Sequence, residues 1–133
     1  MTPRPLGLER LSRKVGPEIG HIAAYNYAES LRRENRYDEI KALLRGTIPV
    51  ARRALGDTGA LTLSMRSIYA AALYEDPGAA LDDLVEAVET LEETTRTARR
   101  VLGGAHPHLK MFEGVLRKAR AALAARETPS ASK

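Results

Sequence analysis

Cysteine and tryptophan are absent from this sequence of 133 residues, which also has only one Phe and five Tyr. Without cysteine the chain can form no disulfide framework, has no thiol chemistry and lacks the commonest structural zinc ligand. With so few aromatic residues, the core must be built mainly from Leu, Ala, Val and Ile, which favours close helix packing over a β-sandwich. The length suits one domain that buries about two-thirds of the surface of its unfolded chain.

Long hydrophobic runs are also missing, because charged residues interrupt every apolar stretch before the roughly 20 residues that a membrane span requires. The segment MTPRPLGLERLSRK has the Arg, Lys and Ser of a transit peptide, but it contains Glu9 and has no apolar core. We therefore predict a cytoplasmic protein with an untargeted N-terminus and no contact with a membrane.

The net charge of +4 conceals an alternation along the chain. Residues 1–55 carry 11 Lys and Arg against 6 Asp and Glu, residues 56–104 carry 4 against 9, and residues 105–133 carry 6 against 2. An acidic middle between basic flanks fits contacts between neighbouring units or chains at least as well as it fits a nucleic-acid surface. A homo-oligomer is therefore one hypothesis for this chain.

Apolar residues recur at steps of three and four along most of the sequence, which predicts an all-α protein with five amphipathic helices. The predicted bounds are about 18–34, 37–54, 58–74, 79–102 and 106–126, all within a single helical-repeat domain over 18–126. Residues 1–17 are predicted to be an N-terminal extension, with a short helix as one alternative, and residues 127–133 a disordered tail. Pro49 lies inside the second helix, so we expect a kink or a break between Arg45 and Pro49.

An internal repeat is the most informative pattern in the sequence. The segment ARRALG at 51–56 returns as ARRVLG at 98–103, and the preceding helices align best by pairing Ala28 with Ala70 and Leu31 with Leu73. The chain is thus predicted to be a helix pair, a second helix pair and a final single helix. The Leu-Gly endings are predicted to turn the chain at the same point of each unit.

The segments NYAESLRRENRYDEI at 26–40, VARRALG at 50–56 and ARRVLGGAHPHL at 98–109 resemble the kinesin-light-chain-like branch of the tetratricopeptide repeat family. The segment TIPVARRALG is similar to repeats common in unicellular algae. The resemblance covers roughly residues 18–125. It implies a short right-handed α-solenoid of antiparallel helix pairs, about two and a half repeats long.

The resemblance also implies that a peptide or partner helix lies on a concave face lined by the first helix of each pair. Asn26 is the most suggestive residue there, because its amide can both donate to and accept from a ligand backbone. The alternative is that Asn26 is an ordinary solvated side chain. Carried over by position, the predicted contact residues are Tyr25, Asn26, Glu29, Arg33, Ser64, Ser67, Ile68 and Lys118.

No pattern in the sequence supports catalysis, a cofactor or a metal. His106 and His108 lie two residues apart on an early helical turn and point in different directions, so with His21 they make a poor metal site. Adjacent carboxylates such as Asp82 and Asp83 diverge by about 100° on a helix and do not share a site. We therefore expect a non-enzymatic protein.

The sequence leaves two hypotheses for the function of this protein, from different classes. The first is a protein-interaction scaffold that holds a peptide or a partner helix, or that docks as a subunit in a larger assembly. The second is a nucleic-acid-associated helical protein that uses its basic flanks. The second is disfavoured because no aromatic residues that could stack on bases are interleaved with the basic clusters.

Overall fold

A computed structural model describes residues 17–127, and every regular element in that range is an α-helix, which confirms the all-α prediction. The five helices are α1 (Pro17–Arg33), α2 (Tyr37–Leu55), α3 (Ala60–Glu75), α4 (Leu81–Leu102) and α5 (Pro107–Glu127). The N-terminal extension before Pro17 and the tail after Glu127 lie outside the described residues. No helix within residues 17–127 combines the length and the apolar character needed to cross a membrane.

The described residues fall into two compact units, one ending at Met65 and the other beginning at Arg66. In the first unit, a short link containing Asn35 folds α2 back against α1. Asn35 has a φ of 59°, a left-handed conformation that asparagine tolerates better than most residues. The core side chains of this unit are Ala24, Ala28, Leu31, Ile40, Leu44, Ala51, Leu63 and Met65, all essentially buried.

The second unit contains the rest of α3 together with α4 and α5. The link between α3 and α4 contains an Asp76-Pro77-Gly78 turn, in which the Asp76 carboxylate accepts a hydrogen bond from the Gly78 amide at 2.9 Å. The Asp83 carboxylate accepts one from the Ala80 amide at 3.0 Å, which satisfies a backbone donor at the start of α4. The largest buried side chains of this unit are Leu73, Leu91, Leu109 and Phe112.

The second helix is continuous through Pro49, so of the two expectations, a kink or a break between Arg45 and Pro49, the structure excludes the break, and the kink stays a prediction. Proline removes the amide that would bond to the Arg45 carbonyl, but Arg45 and Pro49 are both exposed, so water can hydrogen-bond to that carbonyl. Leu44 and Ala51 are fully buried on either side of the proline. Their burial holds both halves of the helix against the core.

The two Leu-Gly corners have the same backbone geometry. Gly56 and Gly103 end α2 and α4 with φ values of 87° and 92°, and the ψ values are 158° and 160°. Each corner is closed by the same three amide-to-carbonyl bonds: Gly56 to Arg52, Gly59 to Gly56 and Leu63 to Gly59 in the first, and Gly103 to Arg99, His106 to Gly103 and Lys110 to His106 in the second. The repeat of ARRALG and ARRVLG therefore corresponds to a repeated local structure.

The third helix begins at Ala60, two residues after the predicted start. Gly59 occupies the position before the helix, because its carbonyl accepts the first helical hydrogen bond, from the Leu63 amide at 3.0 Å. In the second corner His106 occupies this position, and its Nδ1 accepts from the His108 amide at 3.1 Å. His106 thus caps α5.

Candidate binding surfaces

The first helix presents one continuous polar and apolar face to solvent, which we call the α1 stripe and define as Ile22, Asn26, Glu29 and Arg33. Helical geometry puts these four residues within an arc of about 60° and along about 16 Å of the helix. Ile22 is 43% exposed, a large fraction for an isoleucine, and Asn26 and Arg33 are also exposed. The stripe therefore offers an apolar contact, an amide, a carboxylate and a guanidinium side by side.

Some polar side chains of α1 already interact with other side chains of the same helix. The Glu29 carboxylate lies 4.0 Å from the Arg32 guanidinium. Burial and the neighbouring Glu29 carboxylate, which is hydrogen-bonded to the Tyr25 hydroxyl, raise the pKa of Tyr25. Asn26 and Arg33, by contrast, make no side-chain hydrogen bond or ion pair within residues 17–127. These two side chains are available to a ligand.

The predicted contact residues outside α1 differ in their exposure to solvent. Ser64, Ser67 and Ile68 are buried, with exposed fractions of 8%, 5% and 5%, so in this structure they present almost no surface to a ligand. The physical reason is that α3 is apolar around most of its circumference and is buried over most of its length. Lys118 on α5 is exposed. Of the eight predicted residues, Asn26, Arg33 and Lys118 are thus exposed, and Tyr25 and Glu29 are half-buried.

A polar groove between α4 and α5 was not predicted from the sequence. We call it the α4–α5 groove, and its volume is about 580 Å³. It is lined by Glu92, Thr95, Arg96 and Arg99 of α4 and by Glu113, Leu116, Arg117 and Arg120 of α5. Four arginines and two glutamates in one cavity give it a net positive charge.

Two ion pairs cross this groove. Arg120 of α5 lies 3.1 Å from the Glu92 carboxylate of α4, and Arg99 of α4 lies 2.6 Å from the Glu113 carboxylate of α5. These pairs show that α4 and α5 run antiparallel. In that register Arg96 falls opposite residues 116 and 117, midway between the two pairs.

A short sequence pattern underlies this arrangement. The segment EETTRTAR at 92–99 and the segment EGVLRKAR at 113–120 share the spacing Glu-x-x-x-Arg-x-Ala-Arg. Because the helices are antiparallel, the first Glu of each segment meets the last Arg of the other, and the shared alanines, Ala98 and Ala119, are fully buried. The shared spacing is visible in the sequence when the last two helices are aligned with each other, and it lies outside the ARRALG and ARRVLG repeat except for Ala98 and Arg99.

Within residues 17–127 there is no group of three His, Cys, Asp or Glu side chains placed to hold a metal ion. His21 is buried in α1, and among the described residues its Nδ1 has no hydrogen-bond partner. His106 and His108 share the α5 cap described above.

Comparison with known proteins gives no further assignment. No family model matches the chain, and neither a curated protein nor a solved structure matches it significantly. The two surfaces therefore have to be interpreted from their own chemistry.

Proposed function

We propose that this protein is a non-catalytic interaction scaffold that binds an extended peptide or a partner helix along α1. The α1 stripe is the observation that carries the proposal, because it combines an exposed isoleucine with an amide and a guanidinium that no described residue engages. Such a combination suits a peptide, whose backbone can bond to Asn26 while its side chains contact Ile22 and Arg33.

We further propose that the helices form an α-solenoid of about two and a half tetratricopeptide-like repeats. Its support is the repeated geometry of the two Leu-Gly corners, together with the resemblance of the segments that contain them. A solenoid of this kind buries each apolar face only against a neighbouring helix pair, so its exposed faces are free for binding.

The test begins with a library of random 12-residue peptides displayed on phage and selected on the native chain. Enriched peptides are synthesised, and their dissociation constants are measured on the native chain and on the double variant Asn26→Ala, Arg33→Ala. We expect the variant to bind at least about tenfold more weakly, which is the change produced by losing about 1.4 kcal/mol of contacts.

The matched control is the double variant Arg53→Ala, Thr58→Ala. Both residues are exposed and lie in the same unit, and the change removes one positive charge and one polar side chain, as the test variant does. Its affinity should stay within about twofold of the native value, an energy difference below 0.5 kcal/mol by the same conversion. Equal binding by native chain, test variant and control would rule out the α1 stripe as the binding face.

A further inference from the structure

The α4–α5 groove contains two positive charges that no neighbouring carboxylate neutralises. Glu92 is paired with Arg120 and Glu113 with Arg99, so the two glutamates neutralise two of the four arginines. Arg96 and Arg117 form no ion pair within residues 17–127. They line the same cavity, one from each wall.

The flanking ion pairs set the register of the two helices that carry these charges. Each pair joins α4 to α5, so the walls of the groove are tied together on both sides of Arg96 and Arg117. Between the pairs, the buried Leu116 and Thr95 contribute to the lining. Two like charges from opposite walls thus line one open groove, and a negatively charged ligand between them would relieve their repulsion.

We propose that the α4–α5 groove binds the dianionic group of a phosphate monoester between Arg96 and Arg117. A phosphate monoester carries a charge of about −1.5 to −2 near neutral pH, close to the two unpaired positive charges. Its three terminal oxygens can accept hydrogen bonds from both guanidinium groups at once, which a single carboxylate with one charge does less well. The groove shares no residue with the α1 stripe, and this proposal does not depend on the function proposed for that stripe.

The test is a titration of the whole chain with phenyl phosphate, followed by isothermal calorimetry. We expect saturable binding with a dissociation constant of about 1 mM or lower, weakened at least about tenfold in the double variant Arg96→Gln, Arg117→Gln. The matched control is Arg53→Gln, Arg100→Gln, which removes the same charge from two exposed arginines outside the groove. Its dissociation constant should remain within about twofold of the native value.

A second measurement covers the case in which the groove variant folds poorly. On the native chain, phenyl phosphate should shift the backbone amide NMR signals of α4 and α5 and leave those of α1 unchanged. Shifts spread evenly over all helices would overturn the proposal, as would the absence of saturable binding up to about 10 mM, an affinity too weak for a defined site.

Three further ligands test whether the groove prefers a phosphate monoester and which kind of molecule carries it. Dimethyl phosphate, a monoanionic diester, and succinate, a dicarboxylate, should each bind more weakly than phenyl phosphate, and equal or tighter binding of either would overturn the assignment to a monoester. A pentapeptide with a central phosphoserine distinguishes the two sources of the group. Tighter binding than phenyl phosphate identifies a phosphorylated side chain as the ligand, and equal or weaker binding identifies a small organic phosphate.

Discussion

Single glycine residues determine how the chain leaves each Leu-Gly corner. Gly103 has φ 92° and ψ 160°, a region of backbone space that is essentially restricted to glycine. Its amide also closes the end of α4 by donating to the Arg99 carbonyl at 3.1 Å. We therefore expect Gly103→Ala to lower the free energy of unfolding by about 1–3 kcal/mol, measured by urea denaturation.

The neighbouring Gly104 provides the control for this substitution. A Cβ built on Gly104 meets no atom within 4 Å, and its φ lies outside the left-handed range. Gly104→Ala should change the free energy of unfolding by less than about 0.5 kcal/mol, as most surface substitutions do. If both alanine variants were equally stable, the positive φ at Gly103 would not be a constraint on the fold.

The buried histidine of α1, His21, predicts a pH-dependent stability. Burial lowers the pKa of His21 below its ordinary value of 6.5, because desolvation disfavours the protonated ring. Below about pH 6.5 the unfolded chain therefore takes up a proton that the folded chain does not. The free energy of unfolding should fall as the pH is lowered from 7.5 towards 5, by at most about 1.4 kcal/mol per pH unit from this one group.

His21→Gln separates this effect from the titration of the other groups. Glutamine does not titrate, so the variant should show a shallower fall in the free energy of unfolding between pH 6.5 and 5 than the native chain. The measurement is a series of urea denaturation curves at fixed pH values. Parallel pH profiles for the two proteins would show that His21 is protonated as easily in the folded chain as in the unfolded one.

At the scale of helices, Pro49 shows that a local signal can be overridden by packing. A proline in the interior of a helix costs about 3 kcal/mol relative to alanine, yet α2 is continuous across it. Since Pro49 is exposed and α2 already has helical geometry there, Pro49→Ala should restore an amide donor to the Arg45 carbonyl without a steric conflict. We expect a gain of about 1–3 kcal/mol in the free energy of unfolding, seen as a higher midpoint in thermal denaturation.

Gly46→Ala is the companion variant, because Gly46 is also exposed in α2 and a Cβ there meets no atom within 4 Å. Its expected gain is smaller, about 0.5–1 kcal/mol, since only the conformational freedom of glycine is removed. A loss of stability in Pro49→Ala alone would mean that α2 depends on the geometry that proline imposes at that turn.

The helices could be predicted from the sequence because their periodicity and their glycine and proline signals act locally. The burial of α3 could also be anticipated from its composition, whereas the ligand-contact role of its residues stays a prediction. Its sequence from Ala60 to Tyr74 contains Arg66 as the only charged residue, a composition typical of a buried helix, but position in the repeat assigned Ser64, Ser67 and Ile68 to a ligand-binding face. Composition was the better guide to their environment than position in a repeat.

The α4–α5 groove could not be predicted because it depends on pairing between helices. Within the sequence, Glu92 and Arg120 are 28 residues apart, and nothing local indicates that they meet. Only the antiparallel register of α4 and α5 brings the two Glu-x-x-x-Arg-x-Ala-Arg segments into contact. Long-range side-chain partners of this kind follow from the packed structure and not from local propensity.

At the scale of the whole molecule, the net charge of +4 makes weak attraction to any polyanion unavoidable. Binding that depends on phosphate contacts weakens steeply as the salt concentration rises, because each such contact releases counterions. Binding through apolar contacts and neutral hydrogen bonds depends on salt much less. Many of the chain's basic side chains are already paired, as Arg66 is with Glu93 at 3.2 Å. A scaffold of the proposed kind should therefore bind nucleic acid only non-specifically.

The corresponding prediction concerns a fluorescein-labelled single-stranded oligonucleotide of 20 nucleotides, titrated with the native chain and followed by fluorescence anisotropy. At 50 mM salt we expect weak binding, with a dissociation constant above about 1 µM, and at 200 mM salt no detectable binding, as for non-specific contacts to phosphate. A peptide selected on the α1 stripe should lose much less affinity over the same range, because its binding relies on an amide and an apolar contact. Submicromolar binding of the oligonucleotide at 200 mM salt would contradict the scaffold proposal and favour the nucleic-acid alternative.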